Sequence, residues 1–145
     1  MDLPIRHRNL PLLLLKAREE VIARFRPILQ ANGVTEQQWR ILRTLAEHDP
    51  RALEPRQLCE LCTMLAPSLT GMLARMEDMR LITRKRADRD QRRLLVTLTA
   101  QGRALVRRIA PRVEKEYRAL EAAIGKPLVR DVYAVLDRLS EAMHG

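Results

Sequence analysis

The segment APSLTGMLARMEDM, residues 66–79, decides how the rest of this chain is organised. Its apolar residues recur at intervals of three and four, which predicts a helix with one buried stripe. The members of that stripe are Leu69, Met72, Leu73, Met76 and Met79. Pro67 suits the start of the helix, because its fixed φ is already helical and its missing N–H would have had no partner there.

The opposite face of this predicted helix is slim and polar. Its residues are Pro67, Ser68, Thr70, Gly71, Ala74 and Arg75. Short side chains let a helix approach a groove closely, and Ser, Thr and Arg can hydrogen-bond to base edges in the major groove of DNA. An ordinary solvent-exposed helix would present similar residues, so this face alone leaves both interpretations open.

Two shorter helices are predicted before this segment. Thr35 and Gln38 have the spacing of a capping box, which predicts a helix that ends at His48. Pro55 then begins a short helix that runs to about Met64, and a turn of a few residues leads into residue 66. Two short helices joined by a tight turn are the helix-turn-helix pattern.

The periodicity changes after Met79. Residues 81–86 and 94–98 are rich in Leu, Ile, Val and Thr and predict two strands joined by a tip of residues 87–93. Six cations and two acids lie between Arg84 and Arg93. A charge run is usually a solvated surface, but a basic hairpin directly after a helix-turn-helix is typical of a wing that contacts DNA.

Long helices are predicted at both ends of the chain. The first covers residues 7–31 and stops at Asn32-Gly33, and two more cover residues 100–143, divided near Gly125. Leu12 to Leu15 and the apolar stripes of the last two helices exceed what one small core can cover. We expect these helices to pair with a second copy of the chain, which makes a homodimer.

Length and charge narrow the class of protein. A chain of 145 residues suits a single domain, predicted to span residues 1–145 with a DNA-binding core at about 35–98. The net charge of +9 favours an anionic partner, although ribosomal and membrane-surface proteins share this balance. Few aromatic residues argue against base stacking on single strands. No membrane-spanning run or signal-peptide pattern is present, so we expect a cytoplasmic location.

Cys59 and Cys62 form a C-x-x-C pair, a spacing found in metal sites and redox centres. A structural zinc site needs four ligands, and no second cysteine pair or nearby histidine completes one, so we expect no metal and no cofactor. Cys62 falls on the apolar stripe of its helix, and both cysteines are interpreted as buried small hydrophobes, with redox sensing as the alternative. The three histidines have no catalytic spacing and no phosphate loop is present, which disfavours an enzyme.

In its order of elements, and in the segment DQRRLLVTLT at residues 90–99, the chain resembles the MarR family of bacterial transcription regulators. That segment has the family's D-x-R wing pattern. Thr35–Ile41 and Pro67–Gly71 further resemble the subgroup that regulates homoprotocatechuate (4-hydroxyphenylacetate) degradation operons. The resemblance implies a mainly α, winged helix-turn-helix fold with one small β-hairpin. It also implies dimerisation helices at residues 7–31 and 100–143, and a homodimer on palindromic operator DNA.

The same resemblance implies roles for individual side chains. The residues expected to lie in the major groove or to keep that face slim are Pro67, Ser68, Thr70, Gly71 and Arg75. Arg92 would enter the minor groove, held by Asp90 or Asp88. The remaining wing cations, expected to contact phosphates or to shape the wing, are Lys85, Arg86, Arg89 and Arg93.

Regulators of this family often bind small aromatic acids between the winged domain and the dimer helices. Arg18 and Arg40 would supply the cations for a carboxylate and Trp39 the aromatic wall, which implies a repressor that a phenolic or aromatic carboxylate releases from DNA. In the alternative interpretation, Trp39 is a core residue and both arginines form inter-helix salt bridges. A MarR-type regulator of efflux, or of redox stress through Cys59 and Cys62, is a further alternative.

Overall fold

The structure is a computed structural model that describes residues 1–145 and confirms the mainly helical class with one small hairpin. The elements in chain order are α1 Leu10–Ala31, α2 Glu36–His48, α3 Pro55–Cys62, α4 Ala66–Asp78, β1 Ile82–Arg86, β2 Leu94–Leu98, α5 Ala100–Ile124 and α6 Lys126–His144. Two compact units, residues 1–110 and 111–145, divide the chain, so α5 contributes to both.

Polar side chains determine where the helices begin. At α2 the Thr35 hydroxyl accepts from the Gln38 N–H at 3.1 Å, and the Gln38 side chain accepts from the Thr35 N–H at 3.0 Å. The predicted capping box is therefore confirmed. Helix α1 begins at Leu10 rather than residue 7, because the Asn9 side chain caps it by accepting from the Leu12 N–H at 3.1 Å.

The turn between α3 and α4 follows from one left-handed residue. Helix α3 ends at Cys62, two residues before the predicted end, because Thr63 has a φ of 52°. The Met64 N–H then bonds to the Cys59 carbonyl at 3.0 Å, and α4 starts three residues after Thr63. This tight turn confirms the predicted helix-turn-helix.

The hairpin is antiparallel and its register runs from Ile82 opposite Leu98 to Arg86 opposite Leu94. The predicted tip of residues 87–93 is confirmed. A further segment of backbone, which the sequence did not predict, pairs with the hairpin. Leu53 exchanges two backbone hydrogen bonds with Val96, at 3.1 and 2.8 Å, so the segment before α3 is tied to β2.

The core of the first unit consists mainly of aliphatic residues and methionine. The largest side chains in it, each under 2% exposed, are Leu29, Ile41, Leu42, Leu45, Leu53, Leu58, Leu69, Leu73, Met76, Ile82, Ile109 and Val96. Four of the five residues predicted for the stripe of α4 are buried. The fifth, Met79, is 38% exposed, so that prediction was wrong: α4 ends at Asp78, and Met79 is the C-cap residue at which the helical face ends.

The second unit consists of the rest of α5 and α6, separated at Gly125, whose φ is +91°. No residue of α6 is buried. The apolar side chains of this helix that are 37–77% exposed are Leu128, Val132, Val135, Leu136, Leu139 and Met143. In the first unit, Leu10 and Leu12 to Leu15 of α1 are 38–54% exposed. Both ends of the chain therefore present uncovered apolar faces. No helix is long and apolar enough to cross a membrane.

Candidate nucleic-acid interface and effector site

The outer face of α4 is open to solvent. Burial of Leu69 and Leu73 fixes the rotation of the helix and turns the opposite side outwards. All five residues predicted for the major-groove face are exposed: Pro67, Ser68, Thr70, Gly71 and Arg75. The Thr70 hydroxyl donates to the Ala66 carbonyl at 3.0 Å, so its oxygen keeps only acceptor capacity. Apart from the adjacent residues and the backbone of α4 itself, no atom lies within 4 Å of the position that a Cβ would take at Gly71, so a flat or grooved partner can approach the backbone closely there.

Glu77 joins α4 to the hairpin. One carboxylate oxygen accepts from the Arg84 N–H and the other from its guanidinium, both at 3.1 Å. The Arg84 hydrogen bond lowers the pKa of Glu77. Arg84 is therefore engaged within the chain and connects the wing to the helix beside it, although the sequence grouped it with the other hairpin cations.

Asp90 orders the tip of the hairpin through the backbone. Its carboxylate accepts from the Arg92 N–H at 3.0 Å, and its carbonyl accepts from the Arg93 N–H at 3.0 Å. The expected contact between Asp90 and Arg92 thus involves the main chain of Arg92 and not its guanidinium. The Arg92 side chain is exposed and forms no ion pair, which leaves it available for a phosphate or a base.

The other predicted wing cations fall into two groups. Lys85, Arg86 and Arg89 are exposed, and Arg86 donates to the Arg92 carbonyl at 3.3 Å. Arg93 instead pairs with the carboxylate of Glu54, the residue just before α3, and this pairing raises the pKa of Arg93. The structure therefore places Arg93 at the attachment of the wing to the helix-turn-helix.

A shared carboxylate connects the two arginines predicted for the effector. Glu36 accepts from Arg40 at 3.1 and 2.7 Å and from Arg18 at 3.4 Å. The third guanidinium nitrogen of Arg40 donates to the Cys62 carbonyl at 2.8 Å, so each of its nitrogens already has an acceptor. Arg18 of α1 therefore forms an inter-helix salt bridge with Glu36. The ion pair of Arg40 lies within α2, and its contact with another helix is the hydrogen bond to Cys62. Glu36 was missed, although its spacing of four residues from Arg40 is the signal for a helical ion pair.

Trp39 is half-buried in the structure and follows Gln38 on the first turns of α2. Residues four apart share a face of a helix, whereas adjacent residues do not, so Arg43 lies beside Trp39 and Arg40 does not. Arg43 pairs with Glu47 at 2.8 Å and is half exposed. It is a further cation on the face of Trp39, and the sequence interpretation missed it.

The family follows from comparison with known proteins. Residues 32–93, which contain α2 to α4 and β1 up to the end of the tip, match the model of the MarR family. The HTH-type transcriptional regulator FarR of Neisseria gonorrhoeae is 37% identical over 142 residues, which cover 96% of each chain. The chain belongs to the MarR family. It is a DNA-binding transcriptional regulator with a winged helix-turn-helix, and not an enzyme.

Two further similarities lie inside the MarR family. The homoprotocatechuate degradative operon repressor of Escherichia coli is 43% identical over 116 residues, covering 80% of this chain and 77% of that protein. The crystal structure of NadR in complex with 4-hydroxyphenylacetate has a TM-score of 0.79 and 37% identity, covering 96% of this chain and 97% of that chain. The resemblance to the homoprotocatechuate subgroup is thereby confirmed.

The cysteines of this MarR-family chain lie on α3 as free thiols. Cys62 is 1% exposed, and its sulfur lies 3.4 Å from the Thr44 hydroxyl and 3.7 Å from the Arg40 carbonyl. Burial raises the pKa of Cys62 and so disfavours the reactive thiolate. Its environment is that of a small buried hydrophobe, as predicted, whereas Cys59 is only partly buried and the prediction for it was wrong. No group of three side chains able to hold a metal ion is present.

Proposed function

We propose that two copies of this MarR-family chain bind a palindromic operator and repress an operon for the degradation of an aromatic acid. A small phenolic or aromatic carboxylate would relieve the repression. The similarity to the homoprotocatechuate repressor and to the NadR complex with 4-hydroxyphenylacetate carries this proposal. The chemistry of the exposed α4 face and of the basic hairpin supports its DNA-binding part.

In the proposed complex, α4 lies in the major groove. Ser68, Thr70 and Arg75 read base edges, while Pro67 and Gly71 keep the helix close to the DNA. The Arg92 guanidinium enters the minor groove from a tip that Asp90 keeps ordered. The cations assigned to backbone phosphates, which position the protein without reading sequence, are Lys85, Arg86 and Arg89. Arg93 contributes to the shape of the wing.

The proposed dimer buries the exposed apolar faces at the chain ends. The proposed DNA-binding core, at about residues 35–98, lies between these ends in the sequence. Leu12 to Leu15 of α1 and the stripe of α6 form surfaces larger than single exposed residues on a monomer, and such surfaces mark interfaces. A two-fold dimer places its two α4 helices on half-sites about one helical turn apart. Sedimentation equilibrium should give a mass of two chains.

The proposed effector site uses Arg18, Arg40 and Trp39. Arg18 is the more available cation, because its contact with Glu36 is 3.4 Å long, against 2.7 Å for Arg40. An effector carboxylate at Arg18 would compete with Glu36, while Arg40 holds the Cys62 carbonyl at the end of α3. The acid can release the operator only by the difference in its affinity for the two states of the dimer.

Titration calorimetry with 4-hydroxyphenylacetate and homoprotocatechuate tests the effector. We expect heat of binding, and release of a selected operator duplex at millimolar acid. Arg18→Ala should lower the affinity at least tenfold. Arg56→Ala, which removes an arginine of α3 whose side chain is 90% exposed, should leave it unchanged. If Arg43→Ala lowered the affinity and Arg18→Ala did not, Arg43 would be the cation that binds the effector carboxylate. No heat and no release would refute the effector class and leave the DNA-binding function standing.

A further inference from the structure

The wing is attached to the helix-turn-helix at two positions along the hairpin. The lower attachment, nearer the base of the hairpin, is one cross-strand residue pair, or rung, where Arg84 lies opposite Val96. On this rung Glu77 of α4 binds Arg84, and Leu53 exchanges backbone hydrogen bonds with Val96 on the other strand. The base of the wing is therefore held from both sides at the same level.

Beyond that rung, a single polar contact joins the hairpin to the rest of the chain. Two more rungs and the tip, residues 87–93, follow the attachment at Arg84. Their other hydrogen bonds stay inside the hairpin, as between Arg86 and Arg92 or Gln91 and Ala87. The exception is the ion pair between Arg93 and Glu54. The outer half of the wing thus has one polar contact outside the hairpin.

A small tilt about the lower rung would displace the tip by a large amount. Three to four residues at about 3.3 Å each separate the rung from the tip, a lever of about 10–13 Å. A tilt of about 10° would therefore move the tip by about 2 Å, which is enough to break a hydrogen bond of ordinary length. A two-stranded hairpin has little stability of its own, so its contacts with the rest of the chain decide how firmly its outer half is held.

We propose that Glu54 is a positioning residue for DNA recognition: through Arg93 it sets the tilt of the wing and so places Arg92, without itself contacting DNA. The proposal rests on the proposed minor-groove role of Arg92. It gives a role in recognition to a carboxylate that lies beside a DNA-binding surface, where charge alone would repel phosphates. In this proposal Arg93 does not make the phosphate contact that was expected from the sequence. Its ion pair with Glu54 instead holds the outer part of the wing in position.

Glu54→Asp separates position from charge. Aspartate keeps the negative charge and is a good residue before a helix, but its carboxylate is one methylene short of Arg93. Glu60→Asp is the matched control, because Glu60 is an exposed acid of α3 whose partner is Arg56. Both variants are compared with the parent on three DNA duplexes. The first is an operator selected from a randomised library. The second is the same operator with G·C pairs substituted under the wing, and the third has a random sequence.

We expect Glu54→Asp to lose about three- to tenfold in operator affinity and most of the discrimination against the duplex with G·C pairs. Its affinity for random duplex should match that of the parent, and Glu60→Asp should stay within twofold on all three. In an Arg92→Ala background, Glu54→Asp should cause no further loss, since it acts through Arg92.

Two results would overturn this inference and leave the proposed function standing. In the first, Glu54→Asp binds the operator as tightly as the parent although Arg92→Ala binds it more weakly. In the second, Glu54→Asp loses as much affinity for the random duplex as for the operator. An Arg92→Ala variant as tight as the parent would instead refute the proposed minor-groove contact, and this inference with it. Circular dichroism melts of each variant separate these outcomes from a failure to fold.

Discussion

Replacing Gly102 with alanine would place a methyl group inside the contact between α5 and the base of the hairpin. A Cβ at this position would lie 2.1 Å from the carbonyl oxygen of Leu81 and 3.3 Å from the Leu98 side chain. The same Leu81 oxygen accepts from the Thr99 N–H at 3.0 Å. The clash is with the backbone, so rotation of a side chain cannot relieve it, and the start of α5 must move away from residue 81.

Three terms set the size of the effect. Overpacking of this kind costs about 1–3 kcal/mol. Weakening the hydrogen bond from Thr99 to Leu81 adds about 1 kcal/mol. The higher helix propensity of alanine raises the free energy of unfolding by about 1 kcal/mol relative to glycine. We therefore expect Gly102→Ala to lower the free energy of unfolding by about 1–3 kcal/mol, which corresponds to a fall in Tm of about 3–10 °C.

Gly71→Ala is the matched control, because it is the same chemical change inside another helix. Outside the adjacent residues and the backbone of α4, no atom lies within 4 Å of its added Cβ. Only the helix propensity should therefore count, and stability should rise by about 1 kcal/mol. The same methyl group lies on the face of α4 that we assign to the major groove. Operator affinity should therefore fall in this variant although its stability rises.

Urea unfolding followed by circular dichroism measures both variants. The protein concentration must be the same throughout, because the stability of an oligomer depends on it. A Gly102→Ala variant as stable as the parent would show that residue 81 moves aside at little cost and would refute the tight contact. A Gly71→Ala variant less stable than the parent would refute the open helical environment at residue 71.

Three other predictions test the site and its support. Arg92→Ala should lose about 1–3 kcal/mol of operator affinity in a gel-shift titration, with the dimer intact; equal binding would show that the wing assignment is wrong. Arg103 holds both oxygens of Asp49 at 2.8–2.9 Å and lowers its pKa. The pair therefore stabilises the fold above the ordinary pKa of about 4, and this contribution disappears as the pH falls through the lowered value. Asp49→Asn should thus be less stable at pH 7, with a flatter loss of stability in acid melts; a profile like that of the parent would contradict this. The parent and the double variant Cys59→Ser/Cys62→Ser should bind operator equally in oxidising and reducing buffer; a response to oxidant in the parent alone would make the pair a redox sensor.

Local sequence patterns were sufficient to place the elements. The capping box of Thr35 and Gln38, the apolar spacing around Leu69 and the alternation in residues 94–98 each act over a few residues, so they could be recognised without knowledge of the fold. The errors occur at ends of helices. Thr63 stops α3 early by adopting a left-handed conformation that threonine seldom adopts, and Met79 is exposed because α4 stops one residue before it.

The fate of individual charges could not be predicted in the same way. Arg84, Arg92 and Arg93 are equivalent in a count of hairpin cations, yet only Arg92 among them is without an ion-pair partner. Arg93 pairs with Glu54, 39 residues away, and Arg84 pairs with Glu77 of the neighbouring helix. Such partners become visible only when the chain has folded.

The order of residues alone predicted the helices, the hairpin and the basic surface, because periodicity, capping and net charge are properties of short segments and of composition. The family was indicated by the resemblance of residues 90–99 to the wing pattern of MarR regulators. The tertiary structure alone decided which cations remain available to DNA and which hold the wing in place. The physical reason is that an ion pair depends on distance in space, and folding brings Glu54 to Arg93 across three elements of the chain.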